Sequence, residues 1–413
     1  MNISLLTLGC KVNQAESSQI AAELLSHGCK VVDLDGRPDL CIINTCSVTS
    51  KSDYQSKQLI RRAAKTGSKI IVTGCYSELN GEAVRSMDGV TAVVANNKKE
   101  SIINKLCNIT SCKDIRPGRN YKSRHFIKVQ DGCDNACSYC IIPKARGRSR
   151  SRKMNEIIEE IGSLEGSYNE VVITGIHLGM YGYDLVPKVK LSVLIRSILL
   201  KTKMQRIRLS SLEINEIDEE LMELIQEKRI CNHLHIPLQS GDNKILGMMN
   251  RKYNSLQFKD KLLSIAGRLP GVSIGTDIIA GFPGEGENEF ENTRKLLEKA
   301  PISYAHVFPF SARKGTMAFE MKPRLNDLTI KKRCEILRTL GKKKKNDYMH
   351  NQTGKILDMI VEEIDEEGYC TGTTANYLRV RARLESSRPR DVAYVRIAGV
   401  KDDSLIGYPI ESS

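Results

Sequence analysis

Most of this chain is written as short apolar runs separated by amphipathic segments of helix length, and that alternation constrains the fold more than any other feature. The first series has runs at 3–8, 31–34, 40–44, 70–73 and 90–95. Strands joined through helices lie parallel, so this series predicts an α/β unit with a parallel sheet covered by helices. A second, longer series follows at 126–130, 171–174, 206–210, 233–238, 273–279 and 305–310. Six units are fewer than the eight of a closed barrel. They predict an incomplete (β/α)6 barrel with its chemistry at the C-terminal ends of the strands. Short alternating segments at 356–361, 377–380 and 392–397 then predict a small β-barrel, the size of the OB-like nucleic-acid modules. The expected domains are 1–112, 120–345 and 346–413, with the run Lys342, Lys343, Lys344 and Lys345 at the last boundary.

Thirteen cysteines need an explanation. No apolar run approaches the length of a membrane span, and the nine residues ahead of Cys10 carry no positive charge and make no export signal. The chain is therefore expected in the cytoplasm, where structural disulfides are not maintained and metal ligation is the natural use of thiols. Three strands of the first series run straight into a cysteine, as LLTLGC at Cys10, IINTC at Cys46 and IVTGC at Cys75. Ligands bind at that edge of an open parallel sheet, so three cysteines distant in sequence can meet there. Cys29, Cys41, Cys107, Cys112, Cys231, Cys334 and Cys370 match no such position and are expected to be structural.

The loop after the first barrel strand reads CDNACSYC and supplies Cys133, Cys137 and Cys140. Iron-sulfur cubanes normally take four cysteines, so three leave one iron open to an exogenous ligand, and the amino and carboxylate groups of S-adenosylmethionine suit that vacancy. The competing assignment is a zinc site completed by His125 or a distant cysteine, although structural zinc favours paired C-x2-C units and four protein ligands.

Here the sequence resembles the radical SAM superfamily, and with Cys10, Cys46 and Cys75 it resembles the methylthiotransferases within it. The likeness covers nearly the whole chain and rests on LGCKVNQAES, NTC, TGCY, GCDNACSYCIIP and the strand-end words TGIHLGMYG, RIRLSSLE, HIPLQSGD and GTDIIAGFPGE. It implies a flavodoxin-like N-terminal domain, a radical SAM barrel and a C-terminal TRAM domain that binds RNA. It also implies two [4Fe-4S] clusters. The one on Cys133, Cys137 and Cys140 would cleave S-adenosylmethionine with an electron from reduced flavodoxin or ferredoxin. The one on Cys10, Cys46 and Cys75 would hold the sulfur to be methylated and inserted. Tyr139, Glu213, Gln239, Asp277 and Gly281 are the implied contacts of S-adenosylmethionine.

The family divides among tRNA bearing threonylcarbamoyladenosine, tRNA bearing isopentenyladenosine, and a ribosomal protein. LGCKVNQAES is most similar to the threonylcarbamoyl branch, which implies the anticodon stem-loop of tRNA as partner. A threonylcarbamoyl group carries a carboxylate that needs an Arg or Lys, and Arg146, Arg148 and Arg313 are the candidates. A net charge of +14 and a pI near 9.1 also point to a polyanion. The charge gathers in Lys144, Arg146, Arg148, Arg150, Arg152 and Lys153 and in the lysine run. A non-catalytic zinc and RNA-binding protein, or a radical SAM enzyme of another reaction, are the competing classes.

Overall fold

The computed structural model describes residues 1–99, 102, 123–385 and 387–410. Cys107 and Cys112 lie outside the described residues. Five strands, Asn2–Thr7, Lys30–Val31, Leu40–Thr45, Lys69–Gly74 and Val90–Val93, form the N-terminal sheet. All their pairings are parallel, and the spatial order is second, first, third, fourth, fifth. The central strand LCIINT is buried at every position, as a strand covered on both faces must be. The second strand is shorter than its apolar run suggests. At Leu34–Gly36 the chain turns into a single 3-10 turn, and Arg37 takes a left-handed φ of 50°.

The second series forms six parallel strands, His125–Asp131, Glu170–Gly175, Arg206–Leu209, His233–His235, Ser273–Ala280 and Tyr304–Pro309. They are laddered as two halves of three, with a short antiparallel strand Arg150–Ser151 on the outer edge of the first half. Between the halves the chain is held by a bridge from Ile207 to Ile230 and by Leu212 N donating to the His235 carbonyl at 3.0 Å. The fourth strand stops at His235 instead of 238 because Pro237 has no N–H for the ladder. Side chains such as Ile127, Ile173, Ile207, Leu234 and Ile274, on the opposite strand face from cavity residues such as Thr174, His235 and Asp277, fill one core with the apolar faces of the surrounding helices. The first helix of the N-terminal domain, Lys11–Ser26, also packs against the first two barrel strands.

Strands Ile356–Ile364, Tyr369–Thr374, Arg379–Arg383, Val392–Lys401 and Ser404–Pro409 close into a barrel, with the third and fifth parallel and every other pair antiparallel. Two of these strands carry no alternating apolar pattern, because glycine occupies inward-packed positions. A Cβ on Gly372 would lie 2.1 Å from the Ile360 carbonyl oxygen, and one on Gly407 would lie 3.0 Å from Val395 Cβ. The lysine run is no linker. It lies inside the 24-residue helix Asp327–His350, where Lys344 donates to the carbonyls of Glu298 and Ala300 and Lys345 pairs with Asp403 at 2.6 Å. Among the described residues no helix is long and apolar enough to cross a membrane.

Candidate functional site

The N-terminal sheet presents its cysteines through abrupt turns. Cys10 caps helix Lys11–Ser26, Cys46 follows the central strand, and Cys75 opens the short helix Cys75–Leu79. Gly74 has a φ of 102°, and a Cβ there would lie 2.3 Å from the Thr45 carbonyl oxygen; only glycine fits so close to the neighbouring strand. Asn13 ties two of the turns together, donating to the carbonyls of Leu8 at 2.7 Å and Thr45 at 3.0 Å. Burial raises the thiol pKa of both Cys46 and Cys75, and the neighbouring thiols add to it. A set of buried thiols that resist ionisation alone is suited to a cationic centre that stabilises them as thiolates.

In the barrel, Cys133, Cys137 and Cys140 sit in the loop that leaves the first strand. Gln130 shapes this loop by donating to the carbonyls of Asp131 and Gly132 and accepting from His177 N at 2.8 Å. His177 Nδ1 lies 3.5 Å from Cys133 Sγ while its Nε2 meets Glu216. Burial lowers the imidazole pKa, but these two partners outweigh it and raise it to about 10. Arg251 donates to Cys137 Sγ at 3.5 Å, pairs with Glu213, and packs over Tyr253. Burial pushes the Cys140 thiol up to about 12.

The spread of the thiols separates the two metal assignments. Zinc held at about 2.3 Å by three thiolates would bring the sulfurs to roughly 3.8 Å from one another. Among the described residues, the one group of three ligand atoms all within 4.8 Å of each other is His235, Asp277 and His306, so both cysteine sets are wider than a single ion's shell. A cubane, whose thiolates bind separate irons, suits that spread. His125 does not complete the barrel set: it opens the strand whose far end carries the cysteines, 3.8 Å from Glu160 and edge-on to Tyr168.

Both sets open on one cavity of about 1250 Å3. Cys10, Cys46, Cys133, Cys137 and Cys140 line it, together with Tyr139, Glu213, Gln239, Asp277 and Gly281. Cys75 is buried and does not line it. Burial raises the Glu213 carboxyl and the Tyr139 phenol, whereas Asp277, 3.0 Å from His235 Nε2 and 3.5 Å from His306 Nδ1, is held low by the two imidazoles despite its burial. Gln239 holds a φ of 64°, with its N–H donated to the Asp277 carbonyl at 2.8 Å. Gly281 has a φ of 81°, and a Cβ there would meet Ile330 at 2.5 Å. His177 and Arg251 are site residues that the sequence reading misses. His177 stands in a strand-end word, but nothing in the sequence says that its ring reaches a cysteine 44 residues earlier.

Two expected anion-binding arginines are committed elsewhere. Arg146 has a fully buried side chain; it donates to Cys75 Sγ at 3.3 Å, Glu16 at 2.9 Å, Asp131 at 2.8 Å and Asn13 at 2.6 Å. Lys99 and Lys128 also pair with Glu16, completing an ion network between the N-terminal domain and the barrel. Arg313 pairs with Asp53 and donates to Ser47, each at 2.7 Å, across the same boundary. Arg148, 94% exposed, remains open to solvent.

A parallel-sheet domain that brings Cys10 and Cys46 to a cavity shared with the three cysteines of a six-strand partial barrel, with Cys75 buried, marks a radical SAM enzyme with a second cysteine-bearing domain. Residues 127–297 match the Radical SAM superfamily, and residues 2–96 match Uncharacterized protein family UPF0004. A threonylcarbamoyladenosine tRNA methylthiotransferase MtaB of Rickettsia prowazekii is 39% identical over 87% of this chain and 87% of its own, and one of Aquifex aeolicus is 35% identical over 88% and 93%. The radical S-adenosylmethionine methyltransferase TsrM of Kitasatospora setae shares the fold, with a TM-score of 0.57 at 13% identity over 74% of this chain and 72% of that one. The chain belongs to the MtaB-type radical SAM methylthiotransferases.

Proposed function

We propose that this enzyme attaches a methylthio group to C2 of N6-threonylcarbamoyladenosine 37 in the anticodon loop of tRNA, using two [4Fe-4S] clusters. The observation that carries the reading is the opening of both cysteine sets on one cavity. When bound, the barrel cluster supplies the electron that cleaves S-adenosylmethionine, and the N-terminal cluster carries the sulfur. The rest falls to the chain. Cys133, Cys137 and Cys140 hold one cluster with an iron left open, and Cys10, Cys46 and Cys75 hold the other. Tyr139, Glu213, Gln239, Asp277 and Gly281 bind and orient S-adenosylmethionine against the open iron. Arg251 and His177 each hold a ligand sulfur in place and keep solvent from it. The buried walls of both domains keep water from the reacting carbon.

Mass spectrometry of tRNA nucleosides from cells lacking the gene tests the substrate: the methylthio form of threonylcarbamoyladenosine should vanish. Loss of the methylthio form of isopentenyladenosine instead would move the enzyme to the neighbouring branch. Two cubanes of four irons give roughly eight irons per chain after anaerobic reconstitution. Replacing Cys133, Cys137 and Cys140 together by alanine should halve that figure, and loss of all the iron or of none would contradict two independent sites. Electron supply is assigned to a reduced flavodoxin or ferredoxin.

The exposed part of the basic surface, including Arg148 and the arginines of the C-terminal barrel, is expected to meet tRNA phosphates. About six such contacts would weaken binding on the order of a thousandfold between 50 and 200 mM salt. A flat salt profile in a filter-binding titration would remove the phosphate contacts from the reading.

A further inference from the structure

If the substrate is the threonylcarbamoyl base, a carboxylate must be held in the cavity beside the reacting carbon, and the cations that line the cavity are not equally free to hold it. Arg251 is taken by Glu213 and Cys137. Arg338 donates to the Val307 carbonyl at 2.9 Å and Arg324 to the Phe319 carbonyl. Lys11 differs. Among the described residues neither it nor Lys51, the other lysine lining the cavity, has a carboxylate within ion-pair distance; Lys51 is exposed, whereas Lys11 is half-buried with its Nζ 5.7 Å from the centroid of the Tyr377 ring.

The ring beneath Lys11 comes from the C-terminal barrel. Tyr377 lies in the turn between strands Tyr369–Thr374 and Arg379–Arg383, at a left-handed φ of 65° that a tyrosine adopts only when its surroundings impose it. The turn is closed by Tyr377 N donating to the Thr374 carbonyl at 3.0 Å, and Arg208 braces it, donating to the carbonyls of Thr374 and Ala375, each at 2.9 Å, with its guanidinium 5.3 Å over the ring. The ring also stacks with His233 at 4.4 Å and with Tyr304 at 6.1 Å. Lys11 and Tyr377 thus form a built pair in the wall of the cavity, one from each end of the chain.

Position completes the argument. Lys11 directly follows Cys10, a proposed ligand of the sulfur-bearing cluster. In adenine, C2 and the carbon bearing N6 are both bonded to N1, so an N6 substituent turned toward N1 lies along the edge next to C2. An anion on that substituent and a sulfur delivered to C2 must be handled by neighbouring residues.

We propose that Lys11, seated on the Tyr377 ring, forms the subsite for the carboxylate of the threonylcarbamoyl group, and that it is the residue by which this enzyme separates a charged N6 substituent from an uncharged one. The assignment rests on the substrate reading above. It is tested with the full-length reconstituted protein and two anticodon stem-loops that differ only at position 37, one with threonylcarbamoyladenosine and one with plain adenosine.

Wild-type protein should bind the modified loop about 10- to 100-fold more tightly, the range of one charge-assisted contact in a partly buried site. Lys11→Met should remove that preference while leaving affinity for the plain loop unchanged, and Lys11→Arg should keep part of it. Tyr377→Leu, which removes no cluster ligand, should reduce the preference without altering iron content. A Lys11→Met protein with full iron and an undiminished preference overturns the subsite alone. Equal binding of both loops by the wild type, together with no methylthiolation of threonylcarbamoyl tRNA, overturns the substrate reading and the subsite with it.

Discussion

Cys46→Ala protein, given dithionite and S-adenosylmethionine under anaerobic conditions, is expected to form 5′-deoxyadenosine and yet leave tRNA without a methylthio group. Two thiolates hold a cubane poorly, so removing Cys46 should empty the N-terminal site, while Cys133, Cys137 and Cys140 keep their three contacts in another domain. Cys137→Ala should abolish both products. The products are separated by chromatography, and iron analysis of each variant reports cluster loss independently of turnover. Methylthiolation by purified, folded Cys46→Ala protein would show that the N-terminal cysteines are not the sulfur site.

The second large effect is expected on stability. Glu170 is wholly buried and pairs with Arg206 at 2.7 Å and Arg208 at 2.8 Å; Arg206 continues to Asp358 and Arg208 to the Thr374 turn, so one carboxylate underlies the junction with the C-terminal barrel. Glu170→Gln leaves the buried Arg208 without a carboxylate partner and Arg206 with Asp358 alone, and breaking a buried pair in this way costs about 3–5 kcal/mol. The apparent unfolding midpoint should fall sharply. A Glu170→Gln protein that melts with the wild type would mean that water reaches these arginines. The pH dependence has a definite sign. The arginines outweigh burial and depress the folded pKa of Glu170, so its contribution is fully present above the unfolded carboxylate value of about 4.3 and is lost as pH falls through the lower, folded value.

How far the sequence speaks depends on whether a residue's role is set locally. Cys10, Cys46 and Cys75 are legible because each ends a strand, and strand ends of a parallel sheet share an edge. Cys133, Cys137 and Cys140 are legible because their spacing lies within one loop. Arg146 is misread as a phosphate contact, since a run of basic residues shows charge but not which member turns inward. Its burial is decided by Glu16 and Asn13, 130 and 133 residues away. Lys11 stands in a quoted word, yet the ring that gives it meaning is Tyr377, at the other end of the chain. The second and fifth strands of the C-terminal barrel were hidden by the glycines that let them pack.

The network around Arg146 also determines how a polynucleotide can be served. One guanidinium, fully buried, joins a thiol of the N-terminal domain, a carboxylate of its first helix and a carboxylate at the end of the first barrel strand. Hinging the two domains apart would separate charges that are paired within their interface, so the network opposes a hinge motion between them. On the proposed reading, the nucleotide at position 37 would leave its stack to enter the cavity, and the energy of that excursion would fall on the anticodon loop, where an unpaired base is most easily released.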